Sequence, residues 1–278
     1  MKIRKPAVSG RFYPSGKTEL LKLLNDIREK ENPGINLSLA TKNIIGGIVP
    51  HAGYVYSAYH AIHFFEIIKK SKLEYTTIVI LNPDHSGFGG EVSLDSNDYW
   101  ESPLGEVELD KEFMNNMNIP VSETAHISEH SGEVMIPLLQ YSLDYDFKIV
   151  PVSITRQNYN NSINLANEIY KANKELKRDI LILASSDFSH YVSPEYGKEM
   201  DDLVIKEILA LNTAAVYKTV ISNNISVCGY GPIMTLLEYA KLIDPEVEVK
   251  ILRRGHSGEV MASREVVDYI SMLVYKKD

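Results

Sequence analysis

A single cysteine, Cys228, stands in a chain of 278 residues. An intrachain disulfide is therefore excluded, and a reducing, cytoplasmic setting is favoured. No apolar stretch approaches the ~20 residues that a bilayer-spanning helix needs, so no membrane segment is expected. The opening "MKIRKPAVSGRFYPSG" has basic residues but no apolar run behind them and does not read as a secretory signal. Basic runs are missing as well. None is longer than Arg253-Arg254, and the formal net charge is −8, which argues against a nucleic-acid partner. The sequence has no internal repeat and no low-complexity linker to divide it.

What the chain does have is ordinary for a globular protein, with 44% hydrophobic and 24% charged residues. Four short runs rich in β-branched residues read as buried strands: "NIIGGIVP" (43–50), "TTIVILNP" (76–83), "FKIVPVSI" (147–154) and "DILILASS" (179–186). Each is nearly all apolar instead of alternating, the pattern of strands covered on both faces. "VEVKILRR" (247–254) is a candidate fifth. Helical spacing marks 57–71, 162–176 and 193–211, the last with Ser193 as N-cap and Pro194 at the first helical position. Strands alternating with helices predict an α/β fold with a largely parallel central sheet flanked by helices. "ENPGINLSLATKN" (31–43) is the most loop-like stretch, yet it lies too near the start to separate two domains, so residues 1–278 are expected to form one.

Histidines recur where the strands stop. His51 follows the first run, His85 the second, and Asp187 and His190 the fourth. In open α/β sheets ligands bind outside the carboxyl ends of the strands. Parallel strands would therefore project all four residues from one edge. Cys228 precedes Gly229, Gly231 and Pro232 ahead of an amphipathic helix, whose positive end favours a thiolate. Two imidazoles and a thiolate suit iron, copper or zinc. The same residues also permit a metal-independent hydrolase, with Cys228 as nucleophile, His190 as base and Asp187 orienting it. The chain order leaves both open.

The stretches "AVSGRFYPSG" (7–16), "PHAGYVYS" (50–57), "NPDHSG" (82–87), "WESPLG" (100–105), "EHSGEVMIPLLQY" (129–141), "ASSDFSHYV" (184–192) and "CGYGPI" (228–233) run nearly the full length. In this ordered set the chain resembles the Memo family (mediator of cell motility), itself similar to class III extradiol dioxygenases of the LigB type. The resemblance implies one α/β domain with a pocket at the sheet's edge and a metal site of His51, His85 and Cys228. It also implies iron or copper redox chemistry, with Asp187 and His190 as neighbouring acid–base groups. Cysteine stands where the dioxygenase relatives carry a carboxylate, so ordinary ring cleavage does not carry over. Phe12 or Tyr13 stands where animal members have a Trp-Tyr pair and implies an aromatic pocket wall, with Tyr54 nearby. Microbial relatives accompany a radical-SAM protein and an AMMECR-type protein, which the resemblance implies as partners beside an unidentified small molecule or peptide.

Other histidines are placed by spacing. His60 and His63, three apart, are expected on a partly exposed helix face. His130 and Glu133 fall within the resemblance and are expected to line the pocket, with His256 as an additional pocket group. His126 reads as a loop residue, and Arg253 and Arg254 as solvated. Three functions remain at this point: a metal-dependent redox enzyme, a non-catalytic peptide-binding module using the same pocket, and the Cys-His-Asp hydrolase.

Overall fold

The apolar runs do become strands, and their order along the chain explains the shape of the pocket. The computed structural model describes residues 1–277. Along the first half run β1 (Ile3–Arg4), α1 (Lys17–Glu31), β2 (Asn43–Val49), α2 (Tyr54–Lys70) and β3 (Thr77–Pro83). Then come β4 (Val92–Leu94), β5 (Tyr99–Ser102), β6 (Gly105–Glu108), α3 (Lys111–Asn115) and α4 (Met135–Ser142). The second half holds β7 (Lys148–Ile154), α5 (Tyr159–Leu176), β8 (Ile180–Ser185), β9 (His190–Val192) and α6 (Pro194–Leu209). It ends with α7 (Thr213–Ser222), α8 (Tyr230–Ile243), β10 (Val247–His256) and β11 (Val266–Lys276).

The main sheet has eight strands in the order β10-β11-β2-β8-β3-β7-β4, with β9 beside β11. Its centre is parallel through β2–β8, β8–β3 and β3–β7. These are the four strands read from sequence, and every residue of β3 and β8 is buried. The flanks are antiparallel, at β4–β7, β10–β11 and β11–β2. Phe64 of α2 lies against Gly47 and Leu236 of α8 against Gly46. Side chains of successive strand residues point to opposite faces, so the two helices cover the two sides of the sheet.

Several expectations need correction. The 247–254 run forms a half-exposed edge strand because β10 has β11 on one side only. The interior place belongs instead to β11, which is buried along most of its length although it carries Asp268 and Ser271. His60 and His63 are buried, at 1% and 2% exposure, because β10 and β11 pack over α2. His126 is buried too, with Nε2 at 3.1 Å from the Ser93 carbonyl. Arg253 bridges Glu31 and Glu259, and Arg254 pairs with Asp202, so neither is simply solvated. The 31–43 stretch forms two short 3-10 turns, Asn32–Gly34 and Leu37–Thr41.

A second sheet, β1-β5-β6, lies beside the first. Its anchor is a buried ion pair between Arg4 and Glu133 at 2.7 Å. Glu133 also accepts from the amides of Ala7 and Val8 and from the Tyr13 hydroxyl. Its carboxylate is thus fully used in holding the N-terminal segment.

Candidate functional site

β2, β8 and β3 are neighbours with aligned ends, as Val49 pairs with Ser185 and Leu81 with Ala184. The loops that leave them therefore bring His51, Asp187 and His85 to one edge. Cys228 arrives from the turn before α8, a helix that packs on β8, β2 and β3. That turn lies close to the sheet because residue 229 is glycine. A Cβ there would stand 2.2 Å from the Ser185 carbonyl oxygen.

His51, His85 and Cys228 each offer a ligand atom, and these atoms lie within 4.8 Å of one another. Cys228 Sγ is 3.2 Å from His51 Nε2. The second nitrogens of both rings are already engaged. His51 Nδ1 is 2.8 Å from Ser185 Oγ, whose hydrogen is directed to the Ser131 carbonyl at 2.8 Å. A hydroxyl has only one hydrogen, so the imidazole is assigned as the donor and Nε2 keeps its lone pair. His85 Nδ1 lies 3.0 Å from Glu129 Oε1, and the same carboxylate accepts the His85 amide at 2.6 Å. An ionised carboxylate can only accept, so this ring also carries its hydrogen on Nδ1 and turns Nε2 outward.

Glu129 was not foreseen. It is buried, accepts from both the amide and hydroxyl of Ser131, and lies 3.4 Å from His130 Nδ1. Burial alone would raise its pKa, but these partners hold it well below the usual carboxylate range. In return, burial lowers the His85 imidazole, but Glu129, with Asp187 and Asp84, raises its pKa overall. His51 is lowered, first by burial and then by the charges of His130 and His85, so it is neutral near pH 7. Cys228 departs from the thiolate expected at a helix start. Burial and the Asp187 carboxylate push its thiol well above the ordinary range, outweighing the bonds that favour the anion.

Family comparison was made against this geometry. A family model described as Memo-like protein matches residues 4–273. The chain belongs to the Memo family. A Memo relative in Methanocaldococcus jannaschii, a MEMO1 family protein, is 38% identical over 98% of this chain and 99% of its own. Another MEMO1 family protein, from Methanococcoides burtonii, is 35% identical over 98% of this chain and 100% of its own. The crystal structure of an uncharacterized Escherichia coli K12 protein shares the fold with a TM-score of 0.51 and 13% identity. It covers 81% of this chain and 99% of that one.

The Memo pocket is a cavity of about 530 Å³ that includes Phe12, His51, His85, His130, Asp187 and His190 in its lining. Phe12, not Tyr13, forms the aromatic wall expected there, its ring 4.8 Å from that of His130. Tyr13 and Tyr54 lie behind the wall, buried with rings 5.4 Å apart. Glu133 is behind it too, committed to Arg4. His256 borders a separate small cavity with Asp268. The rim instead includes Tyr56, Tyr191, Tyr269 and Met261, which the sequence reading passed over. Tyr191 has φ +55°, a left-handed backbone that costs a bulky residue energy.

Asp187 and His190 share the pocket without bonding each other. Asp187 Oδ1 accepts the His51 amide at 2.8 Å, and Oδ2 lies 3.9 Å from His51 Nε2. Burial pushes its pKa up to about 6, against the pull of His190 and two backbone amides. His190 Nδ1 is 2.7 Å from the Ser226 carbonyl. The imidazole that meets Cys228 is therefore His51, and the expected Cys228–His190–Asp187 order is not assembled.

Proposed function

We propose that His51, His85 and Cys228 hold one transition-metal ion, iron or copper, and that the pocket in front of them serves a redox reaction on a small or peptide-borne substrate. The observation that carries this reading is the pair of oriented imidazoles. Each has Nδ1 engaged, by Ser185 or by Glu129, which leaves Nε2 as the nitrogen available to an ion, and that of His51 already faces the thiol. Soft sulfur with borderline nitrogen fits iron, copper or zinc better than a hard cation. Such an ion would supply electron transfer and polarise whatever binds beside it.

The chain's own groups would handle orientation and protons. Phe12, Tyr56 and Tyr269 line the cavity, where aromatic side chains would pack against a substrate ring. Asp187, with a pKa of about 6, can take a proton near neutral pH and return it. The half-buried thiol, held protonated by burial and the Asp187 carboxylate, argues against the hydrolase, because a nucleophile of this kind must be ionised to attack.

Anaerobic purification followed by titration with Fe(II), Cu(I) and Zn(II) tests the reading. It expects a single equivalent bound, lost when any of the three residues is replaced. A second reading, a peptide-binding cleft without catalysis, is favoured by the exposed rim, where Tyr191 and Met261 are 73% and 62% accessible. A protein that stays empty with all three metals would leave that reading in place.

A further inference from the structure

The loop that carries Asp187 and His190 is clasped from two sides. Ser189 Oγ donates to Asp201 Oδ1 of α6 at 2.6 Å, and its amide donates to the same oxygen at 3.2 Å. From β11, the Asp268 carbonyl accepts the Phe188 amide at 2.9 Å, and the Asp268 amide donates to the Ser189 carbonyl at 2.8 Å. The two carboxyl groups then meet. Asp201 and Asp268 are 0% and 4% exposed, and each lies near enough to act on the other's titration.

Two ionised carboxylates buried side by side would repel each other, so one of this pair keeps its proton. Asp201 Oδ2 and Asp268 Oδ2 have no hydrogen-bond partner among the described residues. Those are the atoms left for the proton. The close approach depends on Gly197, where a Cβ would stand 2.2 Å from Asp268 Oδ2.

We propose that Asp201 and Asp268 form a proton-sharing latch, which fixes the Asp187–His190 loop while the proton is present and loosens it once the proton is lost. Neither residue touches the substrate pocket's ligating groups, so both are positioning residues. The inference stands whether or not a metal binds.

Burial first, and then the charge and hydrogen bond of Asp201, push the Asp268 carboxyl up to about 8. Asp201 is raised as well, chiefly by burial. Arg254 of β10 opposes this, but it lies 3.9 Å from Asp201 and is bonded to Asp202. Lys198 is paired with Asp202, while Glu195 and His256 border the same small cavity as Asp268. Tyr269, next along β11, is held neutral by burial and by nearby carboxylates.

The sign follows from the two states. Unfolded, both carboxyls ionise near 3.8; folded, one keeps its proton until about pH 8. The folded protein then binds one more proton across that window. Its stabilisation is full below the unfolded value and is lost as pH rises through about 8.

Urea unfolding of wild type and Asp268→Asn from about pH 5 to about pH 9 tests the latch. Asparagine keeps a donor for Asp201 but has no proton to lose. One linked proton means that up to about pH 8 the wild-type folding constant should fall by about tenfold more per pH unit than the variant's, and the slopes should converge above it. Amide exchange at Ser189 and His190 should also accelerate above pH 8 in wild type beyond the rise seen in the variant. If Asp268→Asn does not fold, wild type alone decides. Its infrared band of a protonated carboxylic acid should disappear between about pH 7 and about pH 9. Equal slopes in the two proteins below about pH 8, or no such band, would overturn the latch.

Discussion

Cys228 Sγ and His51 Nε2 lie 3.2 Å apart although 177 residues separate them in the chain. Both belong to the group of three donors that could hold one ion. Replacing His51, His85 or Cys228 with alanine is therefore expected to abolish metal binding. Asp187→Ala should keep the metal but weaken it by roughly 10–100-fold, as when a group that orients a ligand is lost. Calorimetric titration with Fe(II) and Cu(I) separates the two classes. If Cys228→Ala bound like wild type and Asp187→Ala bound neither ion, the ligand set would be two histidines and a carboxylate.

Glu129 and Ser185 give a second expectation. Each holds the Nδ1 hydrogen of one ligating ring, so Glu129→Ala and Ser185→Ala should each cost roughly 10–100-fold in metal affinity without abolishing it. Glu129→Ala should have the larger effect, because that carboxylate also fixes the His85 backbone at 2.6 Å and adjoins His130. Unchanged affinity in both variants would mean that packing alone orients the rings.

Metal affinity should depend on pH through the thiol. Burial keeps Cys228 protonated well above its ordinary pKa, whereas His51 is already neutral. Binding must then expel the thiol proton, and affinity should rise by about tenfold per pH unit while the thiol remains protonated. Calorimetry in buffers of different ionisation enthalpy counts the protons released. A count of zero at neutral pH would show that the thiol is ionised before the metal arrives.

The Arg4–Glu133 pair predicts a stability effect unrelated to the metal. Both side chains are 2% exposed, so removing either one leaves a buried charge alone. Glu133→Ala should destabilise the fold by about 3–5 kcal/mol, measured by denaturant unfolding. Glu133 also satisfies Tyr13 and two backbone amides, so glutamine should not restore the loss fully.

The sequence exposed the parallel centre because its four strands are covered on both faces and read as unbroken apolar runs. It also exposed the convergence of His51, His85 and Asp187, which follows from neighbouring strands that end together. What it hid depends on packing between distant segments. His60 and His63 are polar by type but lie under β10 and β11, and spacing within α2 carries no trace of that cover. Glu133 shared a helix-like spacing with His130, yet its charge was taken by Arg4, 129 residues away. Glu129 sat in plain view beside His130 in "EHSGEV". Only its burial and its bond to His85 distinguish it from a solvated acid.

The placement of β11 has a consequence for biosynthesis. It is last among the strands in chain order but sits between β10 and β2, inside the sheet. A chain leaving the ribosome N-terminus first would present the open edge of β2, with its Gly46-Gly47 backbone, until residues 266–276 emerge. An uncovered strand edge is a template for pairing with other chains. Nascent chains arrested before residue 266 should therefore recruit chaperones or co-aggregate, and release of the final hairpin should end that hazard.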